Sequence, residues 1–243
     1  MMIQAPSPNH NARKLPVSLL VLHYTGMESG AAALERLTDP SAEVSAHYLV
    51  EEDGRIFQLV EESERAWHAG VGEWQGITDV NSASIGIEIV NGGHDYPNED
   101  GSLPEFPDVQ VNALIPLCKQ IITRHGIKPS GVVGHSDIAP ARKDDPGEAF
   151  PWKGLAAAGI GLWPDVEETD PRVLFEPGDR DRGVALMQRA LAGIGYGVEI
   201  AGVMDDRTVA VVRAFQRRFR PSAVSGVVDM DTLARITRLA QMV

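Results

Sequence analysis

Two of the seven histidines in this chain, His23 and His135, each stand at the tip of a short apolar run: Val17-Ser18-Leu19-Leu20-Val21-Leu22 before the first, Gly131-Val132-Val133-Gly134 before the second. From that position a parallel or mixed sheet presents side chains to a shared crevice, so the two imidazoles can converge. His135 also opens a polar, Pro- and Gly-punctuated loop that runs to Asp144-Asp145-Pro146-Gly147 and offers several carboxylates. Zinc accepts two imidazoles and a carboxylate and keeps a fourth position for water, whose pKa falls to about 7. On residue types alone, a metal site and a pair of packed strand-end histidines are both open. Glu88 shifts the balance. It sits mid-strand in Ser84-Ile85-Gly86-Ile87-Glu88-Ile89-Val90, where a carboxylate is costly unless it faces a polar cavity. In a metal-holding cavity it is a natural general base; otherwise it is a glutamate on a solvated sheet face. Three of the other histidines read more plainly: His10, in a polar leader, and His94, in a Gly-Gly-His-Asp loop, read as surface residues, and His125 falls at a helix C-terminus, where an imidazolium suits the dipole.

These residues need strands and helices to hold them. The period of two in Ser84–Val90 puts Ile85, Ile87 and Ile89 on one face and Gly86 and Glu88 on the other. Ala46–Val50 and Arg55–Leu59 flank Asp53-Gly54, a dipeptide suited to positive φ, and are expected to pair as a hairpin. From Val111 to His125 the apolar positions follow helical spacing with Gly126 as the stop. Pro116 lies inside this helix, which predicts a kink there or a first turn close to Asn112. Cys118, the one cysteine, falls on its apolar face and reads as core packing. The mixed order of strands and helices implies an α/β fold, a mixed sheet flanked by helices.

Composition changes after Trp163. Pro164-Asp165-Val166-Glu167-Glu168-Thr169-Asp170-Pro171 is acidic and turn-rich and reads as a linker. The expected division is a domain over residues 1–175 and a small three-helix bundle over 176–243, with helices near Asp181–Leu191, Asp206–Phe219 and Met230–Met242. Read as a linker, the stretch predicts two independently folded units. Gly202-Val203-Met204-Asp205 with Thr208 recurs as Gly226-Val227-Val228-Asp229 with Thr232, a turn glycine followed by an Asp that can cap the next helix.

The formal net charge of −12 supplies no clustered Lys and Arg for a phosphate backbone, so nucleic acid is a poor partner. No run approaches the ~20 apolar residues of a membrane helix, and the start carries no basic and apolar leader. The expected address is cytoplasmic, or periplasmic if a leader was removed.

Five motifs, in order, carry a resemblance: Leu22-His23-Tyr24-Thr25, Ser45-Ala46-His47-Tyr48-Leu49-Val50, Trp67-His68-Ala69-Gly70, Ser84 through Asn91, and Gly134-His135 through Pro146-Gly147. They resemble the N-acetylmuramoyl-L-alanine amidase family, which includes a cytosolic wall-recycling amidase, phage T7-type lysozyme amidases and an outer-membrane amidase with a wall-binding tail. The resemblance covers most of residues 15 to 165. It implies Zn2+ held by His23, His135 and Asp145, the last a cysteine in phage members, with the Lys-x-Asp-Pro pattern preferring Asp145 to Asp144. It implies Glu88 as catalytic acid/base and Lys143 beside the oxyanion, with Tyr24, His47, Trp67, His68 and Asn91 lining the substrate groove. Position 46 is alanine where phage relatives carry a catalytic tyrosine, so Glu88 must cover that role. The implied partners are peptidoglycan or muropeptides. The tail, about 180 to 243, resembles the peptidoglycan-binding module found beside many wall hydrolases, with its Gly-x-x-Asp turn and Ala214-Phe215-Gln216. Related recognition domains keep the groove without hydrolysis, and the same fold can serve as a secreted effector; the full set of chemistry-bearing residues favours the enzyme.

Overall fold

The computed structural model describes residues 2–167 and 170–243. Glu168 and Thr169 of the expected linker lie outside the described residues, as does Met1. In chain order the elements are β1 (Met2–Gln4), β2 (His10–Ala12), β3 (Leu19–Tyr24), α1 (Gly30–Thr38), β4 (Tyr48–Val50), β5 (Ile56–Gln58), β6 (Glu64–Ala66), α2 (Val80–Ala83), β7 (Ser84–Ile89), α3 (Asp108–His125), β8 (Val132–Gly134), α4 (His135–Ile138) and α5 (Trp152–Ala157). The tail follows with β9 (Val173–Phe175), α6 (Arg182–Ile194), α7 (Asp206–Phe219), β10 (Val228–Asp229) and α8 (Met230–Ala240).

Six strands form a mixed sheet in the order β1-β5-β4-β7-β3-β8. The central strands β4, β7, β3 and β8 run parallel, and β4 and β5 form the expected antiparallel hairpin around Gly54 at φ +84°. β3 is apolar on both faces, as a strand covered on both sides must be. Leu20 and Leu22 pack with Ile85, Ile87 and Ile89 against Leu114, Cys118 and Ile121 of α3. On the other face, Leu49 and Phe57 meet Ala33 and Leu37 of α1. α3 runs unbroken through Pro116 and starts at Asp108, four residues before the turn that the proline suggested, and ends on Gly126 at φ +65°. Proline removes one amide donor and crowds the preceding turn, and the buried face of Leu114, Leu117, Cys118 and Ile121 holds the helix together across it.

The tail helices lie where the sequence places them, and the repeated aspartates cap them. The Asp205 side chain accepts from Thr208 N and the Asp229 side chain from Thr232 N. The two expected regions are in apolar contact: one cluster joins Leu19, Val21, Val133 and Ile138 to Met187, Leu191, Phe215 and Phe219 of the tail. Trp74 stacks edge-on against Tyr196 at 4.9 Å, and its indole N–H donates to Ser130 O. The acidic stretch marks a change of architecture along the chain while the apolar surfaces on either side of it are buried against each other. Among the described residues no helix is long and apolar enough to cross a membrane.

Candidate active site and metal centre

Parallel pairing of β3 with β7 sets His23 opposite Glu88. Both side chains belong to the sheet face that carries Leu19 and Val21 deeper along the strand. β8 flanks β3 on its other side, and the chain turns from Gly134 into α4, whose first residue is His135. The loop after α4 returns Asp145 to the same point, held by Ser136 N donating to Asp145 O at 2.9 Å. These residues border a cavity of about 340 Å³, with Tyr24, Arg36, His94 and Lys143 also on its wall.

The hydrogen bonds behind the two imidazoles settle which nitrogen of each neutral ring carries the proton. Val80 O can only accept, so the Ser84 hydroxyl donates to it at 2.6 Å. Ser84 Oγ is left to accept from His68 Nε2 at 3.1 Å, which makes His68 Nδ1 a bare acceptor. His23 Nε2, 3.0 Å from that nitrogen, therefore carries its ring's proton. His135 Nε2 donates in the same way to Ala69 O at 2.9 Å. The two remaining nitrogens point lone pairs at one spot: His23 Nδ1 and His135 Nδ1 are 2.9 Å apart, with Asp145 Oδ2 2.9 Å from the first and 3.1 Å from the second. Three acceptors face one another with no proton to share, an arrangement that a cation relieves and that a two-nitrogen, one-oxygen donor set suits. Burial and the neighbouring His135 push the His23 imidazole down to about 4, consistent with a neutral ring at pH 7.

His68 thus supports a ligand. A Cβ at Gly86 would come within 2.4 Å of its ring, so glycine is what lets the imidazole lie against β7. Such outer partners fix the tautomer and orientation of a metal-binding imidazole, so His68→Ala is expected to weaken metal affinity about 10- to 100-fold, read by competition with a chromophoric chelator. An unchanged affinity in the folded variant would refute this role.

Glu88 is the other distinctive group. Its Oε2 is buried and meets no hydrogen-bond partner among the described residues. Burial, and then the nearby Asp145, push its carboxyl well up, against a smaller opposite pull from Lys143. Asp144, beside Asp145 in the sequence, pairs with Arg217 at 2.7 Å, which leaves Asp145 as the converging carboxylate.

The sequence profile of the N-acetylmuramoyl-L-alanine amidase family matches residues 13–148. The chain belongs to this amidase family. A peptidoglycan-binding-domain profile matches residues 180–236. The N-acetylmuramoyl-L-alanine amidase AmiD of Escherichia coli K12 is 41% identical over 225 residues, 90% of this chain and 80% of the relative. The solved complex of Escherichia coli AmiD with the substrate anhydro-N-acetylmuramic acid-L-Ala-D-gamma-Glu-L-Lys is similar at TM-score 0.79 and 39% identity, covering 98% of this chain and 91% of that one. The Pseudomonas aeruginosa protein AMPDH3, solved in complex with anhydromuramic pentapeptide, gives TM-score 0.74 at 36% identity over 93% of this chain and 92% of its own. The mixed sheet flanked by helices is the amidase fold of these structures, with further helices at the C-terminal end.

Within the amidase site, the cavity gathers His23, His135, Asp145, Glu88, Lys143, Tyr24 and His68, and three expected groove residues lie elsewhere. His47 is fully buried behind the strands: its Nδ1 accepts from Gly86 N at 2.9 Å, and its Nε2 lies 2.9 Å from Arg13. Trp67 turns outward, its indole N–H donating to Asn11 Oδ1. Asn91 is buried and ties Gly93 N to the carbonyls of Pro104 and Glu105, so it shapes the loop that carries His94. His94, which the sequence reading set aside as a surface residue, is on the cavity wall with Nδ1 3.0 Å from Tyr24 Oη. Its signal was its place just past the C-terminal end of β7, the Glu88 strand.

The position of His47 has a consequence for stability. Burial pushes its imidazole from an ordinary 6.5 down to about 3, so the ring is neutral in the folded chain and charges on unfolding. The unfolded state therefore binds the extra proton, and stability that is complete above about pH 6.5 is lost as the pH falls from there toward 3, by at most about 1.4 kcal/mol per pH unit for this group. The urea midpoint of the metal-free chain is expected to fall between pH 7.5 and pH 5, and to fall less in His47→Gln. An equal pH slope in both proteins would contradict this.

Proposed function

We propose that this chain is a zinc-dependent amidase that hydrolyses the amide between the lactyl group of N-acetylmuramic or anhydro-N-acetylmuramic acid and L-alanine, in peptidoglycan or muropeptides. The observation that carries the reading is the meeting of three lone pairs, from His23, His135 and Asp145, one strand away from Glu88, whose buried Oε2 meets no hydrogen-bond partner among the described residues. The muropeptide ligands of the two solved relatives support the substrate class.

His23, His135 and Asp145 would hold the zinc ion, which when bound supplies the Lewis acidity that polarises an amide carbonyl and eases deprotonation of water. Glu88 is the chain's proton carrier. Its raised carboxyl is a stronger base than an exposed one, and it takes a proton from the attacking water and returns it to the alanine nitrogen as the carbon–nitrogen bond breaks. Lys143, on the cavity wall, places its ammonium to oppose the negative charge that builds on the carbonyl oxygen. Tyr24, at the cavity wall, contacts the substrate. A recognition protein without turnover would keep the groove but has no use for a bare buried carboxylate at its floor.

Mass spectrometry of products from whole sacculi and from soluble anhydro-muropeptides, run side by side, tests the substrate. Release of peptides beginning with L-alanine is expected. Cleavage at any other bond, or none in either substrate, would refute the proposal.

A further inference from the structure

Adjacent arginines of α7 reach into the loop that carries His135 and Asp145. The Arg218 side chain is 4% exposed, and its Nη1 donates to Asp137 Oδ2 at 2.6 Å. Its Nη2 donates to Val132 O at 2.9 Å, on the edge strand β8, and its guanidinium stacks 4.1 Å over the Trp152 ring. Tyr196 Oη, just past α6, donates to Asp137 Oδ1 at 2.6 Å. Asp137 Oδ2 also accepts from Gly134 N at 2.8 Å. One cation and one hydroxyl from the tail thus grip both ends of the segment Val132–Asp137, in which His135 lies. Arg217 holds the other arm. It pairs with Asp144 at 2.7 Å and Glu148 at 3.3 Å, on either side of Asp145.

Asp137 is 1% exposed, and Gly134 N is its only hydrogen-bond donor in the catalytic region among the described residues. A carboxylate buried that deeply without a counter-charge draws in water and forces its surroundings to move. The atoms that would move adjoin His135, two residues earlier in the same turn of helix. The lone pairs of His135 and Asp145 meet only while the two arms keep their present register.

We infer that the C-terminal helices are a positioning part of the metal centre: Arg218 and Tyr196 fix the His135 arm through Asp137, while Arg217 fixes the Asp145 arm. This rests on the reading of His23, His135 and Asp145 as ligands. It gives the tail a second task beside wall binding, one that matters equally for a small soluble substrate.

The test uses full-length protein with Tyr196→Phe, Arg218→Met and Arg218→Lys. Zinc dissociation constants come from chelator competition, kcat and KM from a soluble anhydro-muropeptide at saturating zinc, and apo stability from urea unfolding. Tyr196→Phe keeps the ring against Trp74 and deletes only the bond to Asp137, so it serves even if Arg218→Met does not fold. The expected result is a zinc affinity about 10-fold weaker in Tyr196→Phe and about 10- to 100-fold weaker in Arg218→Met, with partial recovery in Arg218→Lys and kcat reduced more than KM is raised. Lower apo stability with unchanged zinc affinity and kcat would overturn the inference and leave the tail a purely structural support. Failure of the wild-type chain itself to bind zinc would instead remove the ligand reading on which it rests.

Discussion

Glu88→Gln is expected to keep its bound zinc and lower turnover by about two to four orders of magnitude. The substitution preserves shape and removes the buried carboxylate of the cavity wall that faces His23 from the neighbouring strand. Glu88 lies opposite His23 across a parallel pair, yet it makes no hydrogen bond to His23, His135 or Asp145. On the proposed reading it sits beside the metal set without belonging to it. The amide nitrogen of glutamine cannot carry a proton from water to the leaving amine. Metal analysis and steady-state kinetics on the same preparation separate the outcomes. Zinc lost along with activity would make Glu88 a ligand and displace Asp145 from the set; near-normal turnover would place the proton transfer elsewhere.

His23→Ala and Asp145→Ala are each expected to lose stoichiometric zinc and, with it, detectable hydrolysis. Each substitution deletes one of three donors whose partners are spaced for a single ion, at 2.9 to 3.1 Å from one another. The remaining pair binds far more weakly, because metal affinity here depends on all three lone pairs being aimed before the ion arrives. The metal-free variants are expected to remain folded, since the apolar clusters on both faces of the sheet do not include these side chains. Elemental analysis after dialysis, with circular dichroism as the check on folding, measures this. A variant that retains full zinc and full activity would show that the ligand in question has been misassigned.

How much of this was legible in the sequence depends on how far each residue acts from its own element. His23 and Glu88 could be read because each belongs to a short apolar strand whose alternation fixes a face and whose end fixes a depth, and His135 because it directly follows such a strand. The strands are consecutive in the sheet, so three local patterns were enough to bring the side chains together. Asp145 stood among several carboxylates of one loop, and only the family motif separated it from Asp144, which in the fold turns to Arg217. His47, Trp67 and Asn91 belong to the same ordered motifs but serve the scaffold; a motif records that a residue matters and is silent on which way it points. The His68–Ser84 chain needed the close approach at Gly86 to be seen. The brace on Asp137 was beyond reach for a different reason. Its partners lie 59 and 81 residues away, one just past α6 and one on α7, in a region whose own patterns announce only a bundle, and the acidic stretch between the two regions suggested separation where the fold buries a shared apolar surface.

The central claim is that His23, His135 and Asp145 form the metal centre of an N-acetylmuramoyl-L-alanine amidase. The most direct test follows one soluble anhydro-muropeptide by mass spectrometry through three states of the same protein: as purified, stripped by chelation, and reloaded with zinc. The predicted result is free peptide with an L-alanine amino terminus and peptide-free anhydromuramic acid in the first state, no product in the second, and restored release in the third. Undiminished hydrolysis by the stripped protein, or products cut at a different amide, would contradict the account.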